Sequence, residues 1–314
     1  MAWQLYQGDA LETLKQMEDE SINCCVTSPP YWGLRDYGVD GQLGLEPTPD
    51  EYVAKMVEVF REVKRVLRND GTLWLNLGDS YCGTGNKGEY KDPKYTNGRN
   101  GQKVALNNKI DGLKSKDLVG IPWRVAFALQ ADGWWLRSDI IWAKPNPMPE
   151  SVTDRPTKAH EYIFLLSKSK RYFYDNEAIK EPASNEGKLV SLGDKSFSRG
   201  QAKGKGIKPS GNGNADEYLV PAGRNKRTVW NITTKPFSEA HFAVFPPEIP
   251  ETCIKAGCPQ GGTVLDPFAG AGTTLYVAEQ LGRNSIGIEL NPDYCDIIRR
   301  RMAGVEPSLF QYQA

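Results

Sequence analysis

One stretch near the carboxyl end restricts the fold of this chain more than any other part. Residues 264–274 read VLDPFAGAGTT, in which an apolar strand runs into a glycine-rich turn that opens a helix. Glycine adopts backbone angles that other residues avoid, and it lets the backbone approach a ligand closely. We therefore expect Gly270 and Gly272 to form a ligand site between the strand Thr263–Asp266 and the helix Thr273–Leu281.

An acidic residue extends this pattern. The next strand, SIGIEL, places Glu289 at its end, 17 residues after Gly272. A carboxylate in this position can accept hydrogen bonds from the two hydroxyls of a ribose. The order of strand, glycine turn, helix, strand and acid indicates a nucleoside cofactor, and the alternative is a tight turn with a glutamate that faces solvent.

Strands and helices alternate along the rest of the chain. Apolar patterns predict strands at Trp3–Tyr6, Ile22–Thr27, Thr72–Leu77, Ser138–Trp142, Tyr162–Ser167, Thr263–Asp266 and Ser285–Glu289. They predict helices over Ala10–Met17, Asp50–Leu67, Ile121–Ala131 and Thr273–Leu281, and from Asp293 onward. This alternation favours an α/β fold with a mainly parallel sheet. Three tryptophans among apolar residues are expected in its core: Trp134, Trp135 and Trp142.

A second motif, TSPPYW at Thr27–Trp32, directly follows an apolar strand. Its two prolines fix the backbone and remove two N–H donors. The Ser28 hydroxyl and the Pro29 carbonyl can then both act as acceptors, and Tyr31 supplies a rigid aromatic face. Acceptors beside an aromatic plane suit a flat ring that bears an exocyclic amine. The alternative is a proline turn that ends a strand beside a packed tyrosine.

Charge is unevenly distributed, although 39 basic residues balance 39 acidic ones. Residues 83–116 and residues 186–228 each carry a net charge of +5, which leaves −10 on the remainder. Both segments lack a sustained apolar period and are interpreted as long loops. Lys and Arg in such loops suit a phosphate backbone, and Arg199–Lys208 is the candidate phosphate-binding stretch. Solvated loops without a partner are the alternative.

Together, these motifs resemble those of the β group of DNA amino-methyltransferases, which methylate exocyclic amines of cytosine or adenine. The family motif [SDN]PP[YFW] is matched by Ser28–Tyr31, and it precedes the glycine-rich motif, as is typical of this group. The opening QGDALETL and the stretch His241–Ile254 resemble cofactor-side segments of the family. The stretch Ile140–Ser169 resembles its later catalytic-face segments. The resemblance covers nearly the whole chain apart from the two basic segments.

The resemblance implies a Rossmann-like α/β fold, with a mainly parallel sheet, helices on both faces and basic loop insertions. It implies catalysis at Ser28, Pro29, Pro30 and Tyr31, where a flipped-out base stacks on the tyrosine and donates its amine protons to the serine and to a proline carbonyl. The cofactor that it implies is S-adenosylmethionine, held by Asp9, Phe245, Asp266, Pro267, Phe268, Ala269, Gly270, Gly272, Thr273, Glu289 and Asn291.

The identity of the target base follows less directly. Ser28 stands where the adenine enzymes of this family more often carry Asp, which favours the 4-amino group of cytosine. The 6-amino group of adenine is the alternative. An RNA substrate, or a DNA-binding role without turnover, is weaker still.

Other chemistries fit the sequence poorly. Methylation at carbon 5 of cytosine needs a thiolate, usually in a Pro-Cys dipeptide, whereas this chain has Cys258-Pro259 in the reverse order. Cys24 and Cys25 lie inside an apolar strand and are expected to be inert core residues. The only two histidines lie 81 residues apart, so no metal site is expected.

The expected organisation has five parts: a catalytic half at 1–82, a basic insertion at 83–116, the continued catalytic half at 117–175, a target recognition region at 176–228 and the cofactor-binding part at 229–314. Double-stranded DNA is the expected partner, a cognate restriction enzyme is a further candidate, and monomer and homodimer both stay open. The lack of a long apolar run and the sparse cysteines favour a cytoplasmic protein that does not span a membrane.

Overall fold

The computed structural model describes residues 3–34, 36–83, 110, 112–183, 189–191, 217–219, 223–235 and 245–304 of the 314-residue chain. The chain divides into two compact units. One unit comprises Met1–Tyr174 and Thr228–Ala314, and the other comprises Asp175–Arg227.

Ten strands are present in the described residues: β1 (Trp3–Gln7), β2 (Ile22–Thr27), β3 (Leu67–Leu77), β4 (Trp135–Ala143), β5 (His160–Ser167), β6 (Leu189–Ser191), β7 (Glu217–Leu219), β8 (Val229–Asn231), β9 (Thr263–Asp266) and β10 (Asn284–Glu289). Eight of them form the sheet of the larger unit, in the order β1-β10-β9-β2-β3-β5-β4-β8. Among these eight, only β5 runs antiparallel to its neighbours, β3 and β4. In the smaller unit, β6 and β7 pair antiparallel.

Six helices of the described residues belong to the larger unit: α1 (Ala10–Lys15), α2 (Pro49–Val66), α3 (Ile121–Ala131), α4 (Glu248–Gly257), α5 (Thr273–Gln280) and α6 (Pro292–Ala303). The longest, α2, begins where the Thr48 side chain accepts a hydrogen bond from the Glu51 amide at 3.2 Å. Pro49 follows at the first helical position, where its missing N–H costs no hydrogen bond. Helical spacing then places Met56, Phe60 and other apolar side chains on one buried face.

Helices cover both faces of the sheet. Leu73 and Leu75 of β3 join the core cluster that contains Phe60 of α2. The alternate residues Thr72 and Trp74 point to the opposite face, where the Thr72 hydroxyl donates to the Gly257 carbonyl of α4 at 3.3 Å. The predicted α/β fold with a mainly parallel sheet and helices on both faces is confirmed.

The core prediction holds with one exception. Cys24 and Cys25 are fully buried, and Trp134 and Trp142 are buried as well. Trp135 is 45% exposed, so its prediction as a core residue was wrong. Adjacent residues of an extended chain point in opposite directions, and Trp134 takes the inward position.

Two elements of the larger unit were not predicted from the sequence. The helix α4 contains Pro250 and follows Pro246 and Pro247, which together read as a break in structure. Prolines are nevertheless tolerated in the first turn of a helix, where the backbone N–H groups have no partner within the helix. The strand β8 has three residues, too few to show a period, and it is fixed by pairing with β4, Trp142 opposite Trp230.

Most of both basic segments, with Arg199–Lys208, lies outside the described residues, and so does the start of the predicted His241–Ile254 segment, residues 241–244. Within the described part of the chain, no helix is both long and apolar enough to cross a membrane.

Candidate active site

A cavity of about 740 Å³ opens at the carboxyl ends of the parallel strands of the larger unit. Ligands of open α/β sheets bind in this place, because the loops that leave the strands converge there. The cavity is lined by segments that follow β1, β2, β9 and β10, among them Asp9, Ser28–Tyr31, Asp266–Ala271 and Glu289–Asn291. The catalytic residues and all but one of the cofactor residues expected from the sequence therefore line one cavity.

The exception is Gly272, which does not line the cavity. Gly270 and Gly272 both have left-handed backbone angles, with φ of +54° and +73°. A Cβ atom at position 272 would lie 3.0 Å from the Ile298 side chain of α6. Gly272 therefore allows the turn to close and α6 to pack, while its neighbours Ala271 and Thr273 face the cavity.

Glu289 lies at the end of β10, and its side chain is hydrogen-bonded to the backbone of the glycine turn. Its carboxylate accepts hydrogen bonds from the backbone amides of Gly270 and Asn291, both at 2.8 Å. Burial raises the pKa of Glu289 to about 7, and the nearby charge of Asp266 also raises it, while the backbone hydrogen bonds lower it. A carboxylate that is held in place and partly withdrawn from water is suited to accept hydrogen bonds from a polar ligand.

Asp266, at the end of β9, plays a different part. Its carboxylate accepts from the Thr27 hydroxyl at 2.7 Å and from the Phe268 amide at 3.1 Å. Burial raises the pKa of Asp266 to about 6, against the lowering effect of these hydrogen bonds. Since Thr27 immediately precedes the SPPY residues, Asp266 ties that loop to the glycine-rich turn.

Three more of the residues predicted to bind the cofactor take defined positions at the cavity. The Asp9 carboxylate accepts from the Glu12 amide at 2.9 Å and so caps α1 at the cavity wall. Asn291 caps α6 by accepting from the Asp293 amide at 2.9 Å. Phe245, the described residue of the predicted His241–Ile254 segment that lines the cavity, adds an aromatic side chain to the wall.

The SPPY residues, Ser28–Tyr31, leave β2 and enter the cavity. The Tyr52 hydroxyl of α2 donates to the Pro30 carbonyl at 2.9 Å and so fixes the loop to this helix. Gly78 lies against the Tyr31 ring, since a Cβ atom at position 78 would come within 2.5 Å of it. The loop is therefore held by a helix on one side and by the backbone after β3 on the other.

A hydrogen-bonded cluster, which we call the Ser28 cluster, consists of Ser28, Tyr31, Asn76, Lys144 and Glu161. The Ser28 hydroxyl donates to the Tyr31 hydroxyl at 3.1 Å, which in turn donates to Glu161 Oε2 at 2.7 Å. The Asn76 amide nitrogen lies 2.6 Å from the Tyr31 oxygen, 2.9 Å from Glu161 Oε2 and 3.3 Å from Ser28 Oγ. Lys144 forms an ion pair with Glu161 Oε1.

The environment fixes the protonation of Tyr31. Burial raises the pKa of Tyr31 well above its usual range, and the neighbouring Glu161 charge adds to the effect. The phenol therefore keeps its proton at neutral pH and can donate it to Glu161. Lys144 is held on its other side by the Trp142 ring, whose centroid lies 4.3 Å from the ammonium nitrogen.

Sequence reasoning did not single out Asn76, Lys144 or Glu161. They come from β3, from the residue after β4 and from β5, and no local motif links them to SPPY. The resemblance of Ile140–Ser169 to catalytic-face segments was the one available signal. That stretch contains Lys144 and Glu161 without singling them out, and it does not contain Asn76.

Asp79, which follows β3, and the two cysteines of β2 do not line this cavity. The Asp79 carboxylate accepts from the Gly120 and Ile121 amides, each at 3.0 Å, and so caps the start of α3. Burial raises the pKa of Cys24 and Cys25 well above the usual range, which disfavours a thiolate at either position. Within the described residues, no group of three or more His, Cys, Asp or Glu side chains is arranged to hold a metal ion.

Comparison with known proteins agrees with this geometry. The family model N6_N4_Mtase, described as DNA methylase, matches residues 22–300. The Type II methyltransferase M.Cfr9I of Citrobacter freundii is 47% identical over 310 residues, which cover 99% of this chain and 91% of that protein. The Type II methyltransferase M.SmaI of Serratia marcescens is 48% identical over 296 residues, covering 94% and 89%.

Solved structures show the same fold. The PvuII DNA methyltransferase (cytosine-N4-specific) aligns with a TM-score of 0.64 at 19% identity, over 98% of this chain and 89% of that one. The protein TTHA0409 of Thermus thermophilus, complexed with S-adenosyl-L-methionine, aligns with a TM-score of 0.57 at 24% identity, over 96% and 95%.

Proposed function

This chain belongs to the DNA methylase family of amino-methyltransferases, and we propose that it methylates the 4-amino group of a flipped-out cytosine at a specific site in double-stranded DNA. The observation that carries the proposal is the position of Ser28. A neutral hydroxyl stands at the first position of the SPPY residues, on the same cavity as the glycine-rich turn and Glu289. The adenine enzymes of this family more often have a carboxylate at that position, and the serine favours cytosine.

The cofactor is S-adenosylmethionine, which supplies the methyl group. The donor set on this cavity fits it. Glu289 offers a carboxylate to ribose hydroxyls, and Asp9 and Asn291 add polar groups on the same side. Apolar and aromatic side chains, including Phe245 and Phe268, provide walls for a purine ring. We propose the residues expected from the sequence as the cofactor site, with Gly272 acting through the packing of α6.

Residues of the SPPY loop would bind the target amine. An exocyclic amine is a poor nucleophile, because its lone pair is delocalised into the ring. Hydrogen bonds from its two N–H groups to the Ser28 hydroxyl and the Pro29 carbonyl would favour a pyramidal nitrogen with an available lone pair. The Pro30 carbonyl holds the loop through Tyr52 instead. The chain contributes mainly by positioning the reactants, and the surplus amine proton leaves to solvent.

Access to this cavity requires the base to leave the duplex, and Tyr31 would stack on the extruded ring. We propose that residues 176–228 recognise the DNA site and that residues 83–116 form a second DNA-contacting segment. Their excess of Lys and Arg supports phosphate contacts. Residues 1–82, 117–175 and 229–314 would form the catalytic and cofactor-binding parts. A DNA substrate would place the protein in the cytoplasm, and the names of the relatives suggest a cognate restriction enzyme as a functional partner.

Nucleoside analysis tests the proposal. Purified protein is incubated with S-adenosylmethionine and unmethylated plasmid DNA, which is then digested and analysed by mass spectrometry. We expect N4-methyl-deoxycytidine from the wild type and none from Tyr31→Ala, while Tyr31→Ala still binds the plasmid. The control variant Glu20→Gln alters a surface ion pair with Lys168 and should match the wild type. Methyladenine would refute the cytosine assignment, and wild-type binding without any methylated base would refute the enzymatic role.

A further inference from the structure

The Ser28 cluster contains a chain of hydrogen bonds whose direction is fixed by its end group. Glu161 is a carboxylate paired with Lys144, so its oxygens only accept hydrogen bonds. The single proton of the Tyr31 hydroxyl must therefore point to Glu161, 2.7 Å away. With its proton committed, the Tyr31 oxygen can only accept from Ser28 at 3.1 Å. The Ser28 proton accordingly points to Tyr31.

Asn76 reinforces this direction. Its amide nitrogen lies 2.9 Å from Glu161 Oε2, which requires the NH₂ group, not the carbonyl oxygen, on that side. The same NH₂ group donates to the Tyr31 oxygen at 2.6 Å. Asn76 is buried, with 3% of its surface exposed, and it lines the cavity beside Ser28. Ser28 and Asn76 thus both donate to the Tyr31 oxygen, while the single Tyr31 proton is donated to Glu161 and is not available to Ser28.

From this geometry we propose that Glu161 is a positioning residue for the methyl-transfer reaction: it directs the protons of Tyr31 and Ser28 away from the cavity, so that Ser28 presents only lone pairs to the target amine. The inference rests on the proposed function. It explains how a neutral serine can serve where a carboxylate could stand. A hydroxyl that donates along a chain toward a carboxylate becomes a better acceptor, since hydrogen bonds in a chain polarise one another.

Lys144 has a definite part in this arrangement. It is 18% exposed and Glu161 is 16% exposed, so the pair is largely withdrawn from water. Trp142 holds the ammonium group on its other side. Lys144 therefore occupies one oxygen of Glu161 and leaves the other, Oε2, for Tyr31 and Asn76.

Replacing Glu161 with glutamine tests the direction of the chain. In Glu161→Gln, the carbonyl oxygen must face Lys144, which only donates. The NH₂ group therefore faces Tyr31 and also the NH₂ group of Asn76, which loses its acceptor at position 161. Tyr31 then accepts from position 161 and donates to Ser28, and the Ser28 proton turns to the cavity, where it meets an N–H donor. We expect kcat to fall by roughly 10- to 100-fold, the effect of an unsatisfied buried polar group. The Kd for S-adenosylmethionine should stay within about twofold, because Glu289 and the glycine turn are untouched.

A second substitution should reverse part of this loss. In Lys144→Met/Glu161→Gln, no ammonium group holds the glutamine oxygen, and the side chain can turn that oxygen to Tyr31. We expect the double variant to recover at least fivefold in kcat over Glu161→Gln, the equivalent of about 1 kcal/mol. A purely structural role for the ion pair predicts the opposite, because the double variant would lose more than either single one. The control Glu20→Gln should keep wild-type kcat.

A double-mutant cycle in protein stability tests the chain of hydrogen bonds independently of turnover. Chemical denaturation of wild type, Tyr31→Phe, Glu161→Gln and the double variant measures the coupling between positions 31 and 161. We expect non-additive shifts in the denaturation midpoint and, in the activity assay, a double variant no slower than the slower single one. Additive effects in both assays, or wild-type kcat in Glu161→Gln, would overturn the inference. Absence of DNA methylation by the wild type would instead overturn the proposed function. The stability cycle would still decide whether the hydrogen bonds from Ser28 through Tyr31 to Glu161 are coupled.

Discussion

Glu289 offers a quantitative test of the cofactor site, because its pKa of about 7 lies within the working range of a binding experiment. We expect the ionised carboxylate to accept hydrogen bonds from the cofactor hydroxyls and the protonated form to bind weakly. If only the ionised form binds, the Kd for S-adenosylmethionine rises roughly tenfold between pH 8 and pH 6. Three other carboxyls line the same cavity, those of Asp9, Glu161 and Asp266. The pKa of Asp266, about 6, places most of its titration below that of Glu289.

The substitution Glu289→Gln should remove most of this pH dependence. Glutamine replaces one carboxylate oxygen by an NH₂ group, which would face the amide proton of either Gly270 or Asn291, donor against donor. We therefore expect roughly 10- to 100-fold weaker binding of S-adenosylmethionine at pH 8. Calorimetric titration between pH 6 and pH 8 measures both effects. The control Glu12→Gln alters an exposed ion pair on α1 and should bind like the wild type. A Glu289→Gln protein that kept the wild-type pH slope would refute this assignment of the titrating group.

The raised pKa of Glu289 affects folding stability in the opposite direction to cofactor binding: stability falls as the pH rises, whereas binding strengthens. A carboxyl whose pKa is higher in the folded chain than its ordinary value of 4.5 binds its proton more tightly when folded. Its contribution to stability is therefore fully present below pH about 4.5 and is lost as the pH rises to about 7, by at most about 3 kcal/mol. Denaturation of the cofactor-free protein should show Glu289→Gln gaining stability relative to the wild type as the pH rises from 5 to 8. No change in their difference over that range would contradict the raised pKa.

Three further predictions concern packing and charge. Gly272→Ala should lower the free energy of unfolding by about 2–4 kcal/mol, because it adds a steric contact to the strain of a positive φ. The control Gly261→Ala has a φ of +72° and open space around it, so it should lower the free energy of unfolding by about 1 kcal/mol. Denaturation midpoints measure both, and equal losses would contradict the contact. Gly78→Ala should displace the Tyr31 ring and lower kcat at least tenfold, with little change in the Kd for S-adenosylmethionine. A kcat equal to that of the wild type would contradict a requirement for this position of the Tyr31 ring. Replacing the four Lys and Arg residues of Arg199–Lys208 by Gln should weaken DNA binding and reduce the slope of log K against log salt by up to about 4, and an unchanged slope would exclude phosphate contacts there.

Local patterns were enough to predict the fold and to select the residues proposed to hold the cofactor, which line one cavity. The glycine turn and Glu289 follow adjacent strands, and both belong to one contiguous strand–helix–strand unit. The strand period and the helix caps are likewise local, so most elements were predicted within a few residues. The helix α4 was missed because its prolines act locally as breakers, although their position in the first turn makes them compatible with a helix.

The Ser28 cluster could not be predicted in the same way. Asn76, Lys144 and Glu161 come together only because β5 inserts antiparallel between β3 and β4, with Asn76 paired to Ile163 and Ile140 paired to the same residue. This strand order is a property of the whole sheet and leaves no spacing signal in the sequence. The prediction of Trp135 as a core residue was wrong for a similar reason, because hydrophobicity alone does not tell which of two adjacent tryptophans points inward.

The most direct test of the proposed reaction follows a labelled methyl group from S-adenosylmethionine into DNA. Wild-type protein and Ser28→Ala are incubated with unmethylated DNA and cofactor carrying a trideuterated methyl group, and the nucleosides are separated by mass. We expect label in N4-methyl-deoxycytidine alone with the wild type, and a rate for Ser28→Ala that is lower by at least tenfold at an unchanged Kd for the cofactor. Label in methyladenine or 5-methylcytosine, or an undiminished rate in Ser28→Ala, would contradict the proposed reaction.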